Sequence, residues 1–279
     1  MTVRDRSSRV VQVGAGYLRR HPVAALATVG EQVVFGLTTI RFCVTDLMAG
    51  RFQWTEFVRQ AAFMAGAAVM PTILVALPIG VTLSIQFALL AGQVGATSLA
   101  GAASGLAVVR QAASLVAALL LAAAVGAAMT SDLGCRTMRE ETAAMEVMGV
   151  SVIRRLVVPR FAAAIVIGVA LTGVVCFVGF LSSYLFNVYV QGGAPGSFIA
   201  TFASFATTGD MLLALFKSAV YGAIVAVVSC QKGLAAGPGP AGVANAVNAA
   251  VVESVLVVLM TVNVAVSQLY TMLFPRTGL

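Results

Sequence analysis

The chain has 279 residues, of which 60% are hydrophobic and 10% are charged, whereas soluble domains carry about 25% charged residues. A water-soluble domain of this length needs more polar surface than this composition supplies, which excludes an ordinary cytosolic enzyme, a disordered chain and a coiled coil. The apolar stretches are long and continuous, which disfavours a β-barrel. They predict an all-α integral membrane protein, because a helix satisfies its own backbone hydrogen bonds in lipid.

The formal net charge of +7 comes mainly from two basic zones. Twelve charged residues lie in residues 1–60 and nine lie in residues 130–160. This distribution indicates positive-inside topology and attraction to anionic lipid headgroups rather than nucleic-acid binding. The four cysteines and the single histidine are scattered along the sequence, so we expect no metal site.

Residues 1–60 are predicted to form N-terminal helices that lie on the membrane surface. Residues 1–22 mix arginines with apolar residues, and an arginine pair and a proline interrupt them before a signal-peptide core can form. Residues 23–40 are about long enough to cross a thin bilayer, but Glu31 and Gln32 lie at the centre of that stretch, where a carboxylate is costly. A second interfacial helix is therefore favoured, and a transmembrane span stays open as the alternative for this segment.

Residues 61–279 are predicted to form a permease domain of five transmembrane helices, because each span needs about 20 apolar residues. The predicted spans are residues 61–91, 107–129, 159–190, 211–229 and 243–273. Pro71 and Pro78 should kink the first span. We expect the basic loops in the cytoplasm and the uncharged loops outside, with the N-terminus in the cytoplasm and the C-terminus outside.

The polar zone of residues 130–160 is predicted to hold a short helix at about residues 137–149. Thr137-x-x-Glu140 has the pattern of a capping box, which starts a helix. The acidic residues of the first turn suit the helix dipole, and Gly149 is a good stop signal.

Glu141, Met145 and Met148 are predicted to share one face of this helix, from their spacing. One interpretation is a solvated loop helix between two spans. The other is a docking helix for a cytosolic partner, because methionines on an exposed helix form adaptable apolar contacts and acidic neighbours suit a basic groove.

Catalytic motifs are missing from the sequence. The glycine-rich segment Gly237–Gly242 lacks the Lys-Ser/Thr pair that a phosphate-binding loop needs, and the serine, histidine and acidic residues are dispersed. We therefore expect a protein that is not an enzyme and binds no cofactor of its own.

The polar zone resembles the MlaE/YrbE permease family, the membrane subunits of ABC-type lipid transporters. The residues that carry the resemblance are Asp132-Leu133-Gly134, Arg139-Glu140-Glu141, Met145 to Val150, Arg154-Arg155 and Pro159-Arg160. The composition is similar to the actinobacterial Mce branch of that family, where two different permeases usually pair. Ser114 and Ala124 depart from the family pattern, so no role is carried over to them.

The resemblance implies interfacial helices followed by five transmembrane helices, and a coupling helix that sits in a groove of an ATPase. The residues expected to make that contact are Arg139, Glu140, Glu141, Met145, Glu146, Met148 and Gly149. The implied partners are a second permease, a cytosolic ABC ATPase dimer that binds ATP and Mg²⁺, and Mce-domain proteins on the outer face. The implied activity is transport of a lipid, such as a fatty acid, a mycolate-like lipid or a sterol, inward across the plasma membrane.

Polar residues within the predicted spans are candidates for the lipid path. Gln86 follows Pro78 in the first span, and Glu253 and Asn263 lie along the fifth. An ionisable group in lipid is a functional candidate by default, although Glu253 is also consistent with a locally paired structural acid.

Two other functions stay open. An ion-coupled secondary transporter would need several intramembrane carboxylates and inverted repeats, whereas Glu253 is the one convincing intramembrane acid of this sequence. A non-transporting membrane anchor for envelope proteins would need no coupling helix.

Overall fold

A computed structural model describes residues 30–93, 95, 100–192, 194–206, 208–257, 263–264 and 268. Every regular element in these ranges is a helix, which confirms the predicted all-α membrane fold. The predicted surface segment at residues 1–22 and the C-terminal end of the fifth span lie outside the described residues.

The helices are numbered in chain order. They are α1 (residues 30–48), α2 (Trp54–Gln93), α3 (Ala100–Ala107), α4 (Ala113–Leu120), α5 (Ala127–Met138), α6 (Glu141–Val147), α7 (Val158–Tyr189), α8 (Pro195–Phe205), α9 (Thr208–Leu234) and α10 (Gly239–Leu256). Single π-helical segments join α3 to α4 and α4 to α5, and another precedes α7. These segments are Val108–Ala112, Leu121–Gly126 and Ile153–Val157.

Four helical stretches of the described chain are long and apolar enough to cross a membrane. They are Trp54–Gln93, Ala103–Met138, Ile153–Tyr189 and Thr208–Leu234. They correspond to the first four predicted spans, and each is longer than predicted. A helix can continue beyond its apolar stretch because its backbone hydrogen bonds stay satisfied internally. The fifth predicted span begins with α10.

Small residues allow the long helices to pack closely. A Cβ atom added at Gly80 of α2 would come within 2.4 Å of the carbonyl oxygen of Gly179 in α7. One added at Gly222 of α9 would come within 2.7 Å of the carbonyl oxygen of Ala164. The helix backbones are therefore nearly in contact, as is usual where helices associate in lipid.

One end of the bundle, here named the basic end, is where α5 leads into α6 and α9 leads into α10. Its cationic residues include Arg136, Arg139, Arg154, Arg155 and Lys232. At the opposite end α8 packs on α3 and α7, with the rings of Phe180 and Phe202 4.7 Å apart. This separation of charge matches the predicted alternation of basic and uncharged loops.

α1 is attached to the basic end and is not among the four candidate spans. Gly36 of α1 packs against Val227 of α9, and Asp46 lies 3.8 Å from Arg154, whose guanidinium also stacks over the Phe42 ring. The other side of the helix exposes an apolar stripe made of Val33, Leu37, Ile40, Val44 and Leu47. That stripe suits a helix at a lipid surface, and the interfacial placement of residues 1–60 stays a prediction.

Candidate functional site

The short helix at the basic end begins later than the sequence predicts. The prediction of a capping box at Thr137 is wrong. Thr137 lies inside α5, and its hydroxyl donates to the Leu133 carbonyl oxygen at 3.0 Å. An N-cap residue needs a non-helical backbone conformation, whereas the backbone of Thr137 is helical. α6 instead starts at Glu141 after a turn, in which Glu140 takes a left-handed φ of 60°.

The end of α6 is as predicted. Gly149 has φ 74°, and its amide donates to the Glu146 carbonyl oxygen at 2.9 Å. The Val150 amide donates to the Met145 carbonyl oxygen at 2.9 Å. This pair of bonds is a Schellman motif, which requires a left-handed residue and so favours glycine.

Ion pairs connect Glu141 of α6 to the end of α5 and to the turn that follows it. The Glu141 carboxylate forms an ion pair with Arg139, with Arg139 Nε 3.1 Å from Glu141 Oε1. Its other oxygen lies 4.0 Å from Arg136 Nη1. Arg136 also binds Asp132 at 3.3 Å, and Asp132 pairs with the buried Arg160 at the start of α7. Carboxylates thus alternate with guanidinium groups from α6 through α5 to α7, so a series of ion pairs connects α6 to the bundle.

The two sides of α6 differ in exposure. Met145 is half-buried and packs on the apolar cluster of Leu133, Val152, Leu156, Val157 and Cys230. Val147 and Met148 are 90% and 70% exposed. The predicted common face of Glu141, Met145 and Met148 is therefore divided, since the first two contact the bundle. We give the name "α6 outer surface" to five of the exposed residues at this helix, namely Glu140, Glu146, Val147, Met148 and Gly149.

The structure does not gather the predicted lipid-path residues into one site. Gln86 is exposed on α2. Glu253 Oε2 lies 2.7 Å from Lys232 Nζ, and its other oxygen accepts from Gln32. Asn263 Oδ1 accepts the Tyr221 hydroxyl at 3.1 Å. Glu253 is thus a locally paired acid beside the last turn of α9.

Sequence reasoning missed two polar pairings inside the helical bundle. Arg110, in the π-helical segment before α4, forms a two-point pair with the buried Asp210 of α9, with both nitrogen–oxygen distances at 3.0 Å. The neighbouring Gln111 accepts a hydrogen bond from Lys217 Nζ at 3.3 Å. The signal was available, because a lone arginine in an apolar span requires an acid close by.

These features define a multi-pass, all-α membrane protein with an exposed helix fixed to the basic end of its bundle. The family model described as permease MlaE matches residues 57–269. The chain therefore belongs to the MlaE permease family, a class of inner-membrane transport subunits rather than enzymes.

Relatives agree with this assignment. A protein of Synechocystis named "Probable ABC transporter permease protein" is 27% identical over 77% of this chain and 82% of its own length. A Rickettsia bellii protein of the same name is 23% identical over 92% of this chain and 97% of its own length. The Haemophilus influenzae "Intermembrane phospholipid transport system permease protein MlaE" is 27% identical over 72% of this chain and 78% of its own length.

Proposed function

We propose that this chain is the membrane subunit of an ABC-type lipid transporter of the Mce/Mla type. Family membership and the phospholipid-transport name of the Haemophilus relative support a lipid as cargo. The proposed cargo is a fatty acid, a mycolate-like lipid or a sterol, and the proposed direction is inward across the plasma membrane. ATP and Mg²⁺ would bind to a separate cytosolic ATPase dimer.

The observation that carries this proposal is the exposed α6 outer surface. Val147 and Met148 present apolar side chains at the basic end, while Glu141 and Met145 hold the helix against the bundle. Exposed apolar residues rimmed by polar ones are typical of a protein interface. We infer that α6 is the coupling helix through which the ATPase moves α5 and α7.

The proposed orientation places the basic end in the cytoplasm. Arg136, Arg139, Arg154 and Lys232 would then obey the positive-inside rule, and α6 would face the cytosolic ATPase. The N-terminus would lie in the cytoplasm and the C-terminus outside. The opposite end, with α8, would face the proposed Mce-domain proteins.

Transport in this scheme requires no chemistry from the permease. A lipid site formed with a second permease of the family would exist in two shapes, and ATP binding by the partner would change their relative population. A ligand shifts such an equilibrium only by its differential affinity for the two shapes. In this scheme the ion pairs of Asp132, Arg136 and Glu141 would help to transmit a movement of α6 to the spans, because they connect α6 to α5.

The test is reconstitution of the permease with its ATPase in liposomes, comparing Val147→Arg with the unmodified chain. A charge on the α6 outer surface should reduce ATPase co-purification and lipid-dependent ATP hydrolysis at least tenfold, because it would bury an unpaired cation at the contact. Val190→Arg is the control, since Val190 is similarly exposed beyond α7 at the opposite end.

Unchanged ATPase binding by Val147→Arg would contradict the coupling role of α6. Lipid movement driven by an ion gradient without ATP would favour a secondary transporter, and a complex that moves no lipid would favour a membrane anchor.

A further inference from the structure

A polar cavity lies at the basic end, between the first turns of α2, the end of α5 and the start of α7. Its volume is about 210 Å³. Five charged side chains line it, namely Glu56, Arg59, Asp132, Arg136 and Arg160. A cavity this small holds a headgroup-sized ligand but not a whole lipid.

The charges in this cavity do not cancel. Arg160 is buried and pairs with Asp132, to which Arg136 also binds. Glu56 accepts a hydrogen bond from Gln60 at 2.7 Å. Arg59 is exposed. Unlike Arg136 and Arg160, it forms no ion pair with any residue that the structure describes. Glu141, which also lies near Arg136, has a nearer partner in Arg139, at 3.1 Å. The three guanidinium groups and two carboxylates that line the cavity therefore leave one positive charge, which a single phosphodiester would neutralise.

We propose that this cavity binds the phosphate of a membrane phospholipid, with Arg59 as its main charge partner. Guanidinium groups bind phosphate oxygens through paired, charge-assisted hydrogen bonds. The Asp132–Arg160 ion pair forms one side of the cavity, so this side of the site is already assembled before a ligand binds. The bound lipid would belong to the leaflet at the basic end.

The surface beside the cavity favours a lipid over free phosphate. Phe63 lines the cavity and is half exposed. It begins an exposed apolar stripe on α2 that continues away from the basic end through Met70, Leu74 and Leu77. These positions share one helix face by their spacing. A headgroup in the cavity would therefore place its acyl chains along this stripe, whereas inorganic phosphate would make no use of it.

Trp54, the only tryptophan of the chain, provides a local probe. It lies in the same turn of α2 as Glu56 and packs edge-on against Phe57, at 5.9 Å. The full chain in neutral detergent would be titrated with phosphatidylglycerol carrying bromine near the headgroup, which quenches nearby tryptophan. We expect quenching that saturates, while a brominated diacylglycerol without phosphate should quench only in proportion to its amount.

Two variants should move this titration in opposite directions. Arg59→Gln should weaken binding at least about tenfold, because it removes one charge-assisted hydrogen bond. Glu56→Gln should tighten binding, because it raises the net positive charge of the cavity. Arg51→Gln is the matched control, since Arg51 is an exposed arginine of the same region that does not line the cavity, and it should leave the midpoint unchanged.

Linear quenching by all lipids, or equal midpoints for Arg59→Gln, Glu56→Gln and the unmodified chain, would overturn the site. Displacement of the brominated lipid by millimolar inorganic phosphate would overturn its assignment to a lipid. These measurements report binding alone, so their failure would leave the proposed transport function standing. Failure of ATPase coupling would equally leave this site standing.

Discussion

Arg160 and Asp132 form an ion pair that joins the start of α7 to the end of α5, 28 residues apart in sequence. The arginine is 1% exposed, whereas the carboxylate is about half exposed. A second bond runs from Arg160 Nη1 to the Leu156 carbonyl oxygen at 3.4 Å. The ion pair therefore joins the two helices that flank α6.

Removing the acid of this pair should destabilise the protein. Asp132→Asn leaves Arg160 buried without its counter-charge, which should cost about 2 kcal/mol of unfolding free energy. The measurement is thermal unfolding in detergent, with Glu146→Gln as control because Glu146 is exposed on α6. An unfolding temperature equal to that of the unmodified protein would show that Arg160 finds another acceptor.

The contact between α2 and α7 should depend on Gly80. Gly80→Ala would place a Cβ atom 2.4 Å from the Gly179 carbonyl oxygen, and the resulting separation of the helices should cost about 1–3 kcal/mol. Gly66→Ala in the same helix meets nothing within 4 Å, so it should be neutral or stabilising. Thermal unfolding of both variants checks the difference, and equal loss in the two would contradict close packing at Gly80.

Glu253 should behave as one member of a pair with Lys232. The distance of 2.7 Å joins α10 to α9, so Glu253→Gln and Lys232→Met should each lower thermal stability. In the double variant the two effects should be less than additive, with a coupling of about 0.5–3 kcal/mol. Additive losses would contradict a paired role. A loss of transport at full stability would favour Glu253 in the lipid path.

The sequence predicted the class and the main helices because these depend on composition and on uninterrupted apolar length. The stop at Gly149 was also predictable, since a left-handed residue after a helix favours glycine. In these places local chemistry and the tertiary fold agree.

The start of α6 was not predictable, because tertiary packing extends α5. A Cβ atom at Gly134 would meet Val243 of α10 at 3.1 Å, and one at Gly233 of α9 would meet the Thr130 carbonyl oxygen at 3.0 Å. Two helices therefore contact the last turns of α5 and keep Thr137 helical. The pairings of Asp132 with Arg160 and of Glu253 with Lys232 were hidden for a related reason, since the partners lie on different helices.

The central claim is that the cytosolic ATPase contacts the α6 outer surface, and site-specific cross-linking tests this contact most directly. A photo-reactive amino acid would replace Met148 in one sample and Val190 in another, because both side chains are well exposed, at opposite ends of the bundle. Membranes from cells expressing each variant would be irradiated, and the cross-linked protein identified by mass spectrometry. We predict an ATPase adduct at position 148 and none at position 190. An ATPase adduct at position 190, with none at position 148, would contradict the claim.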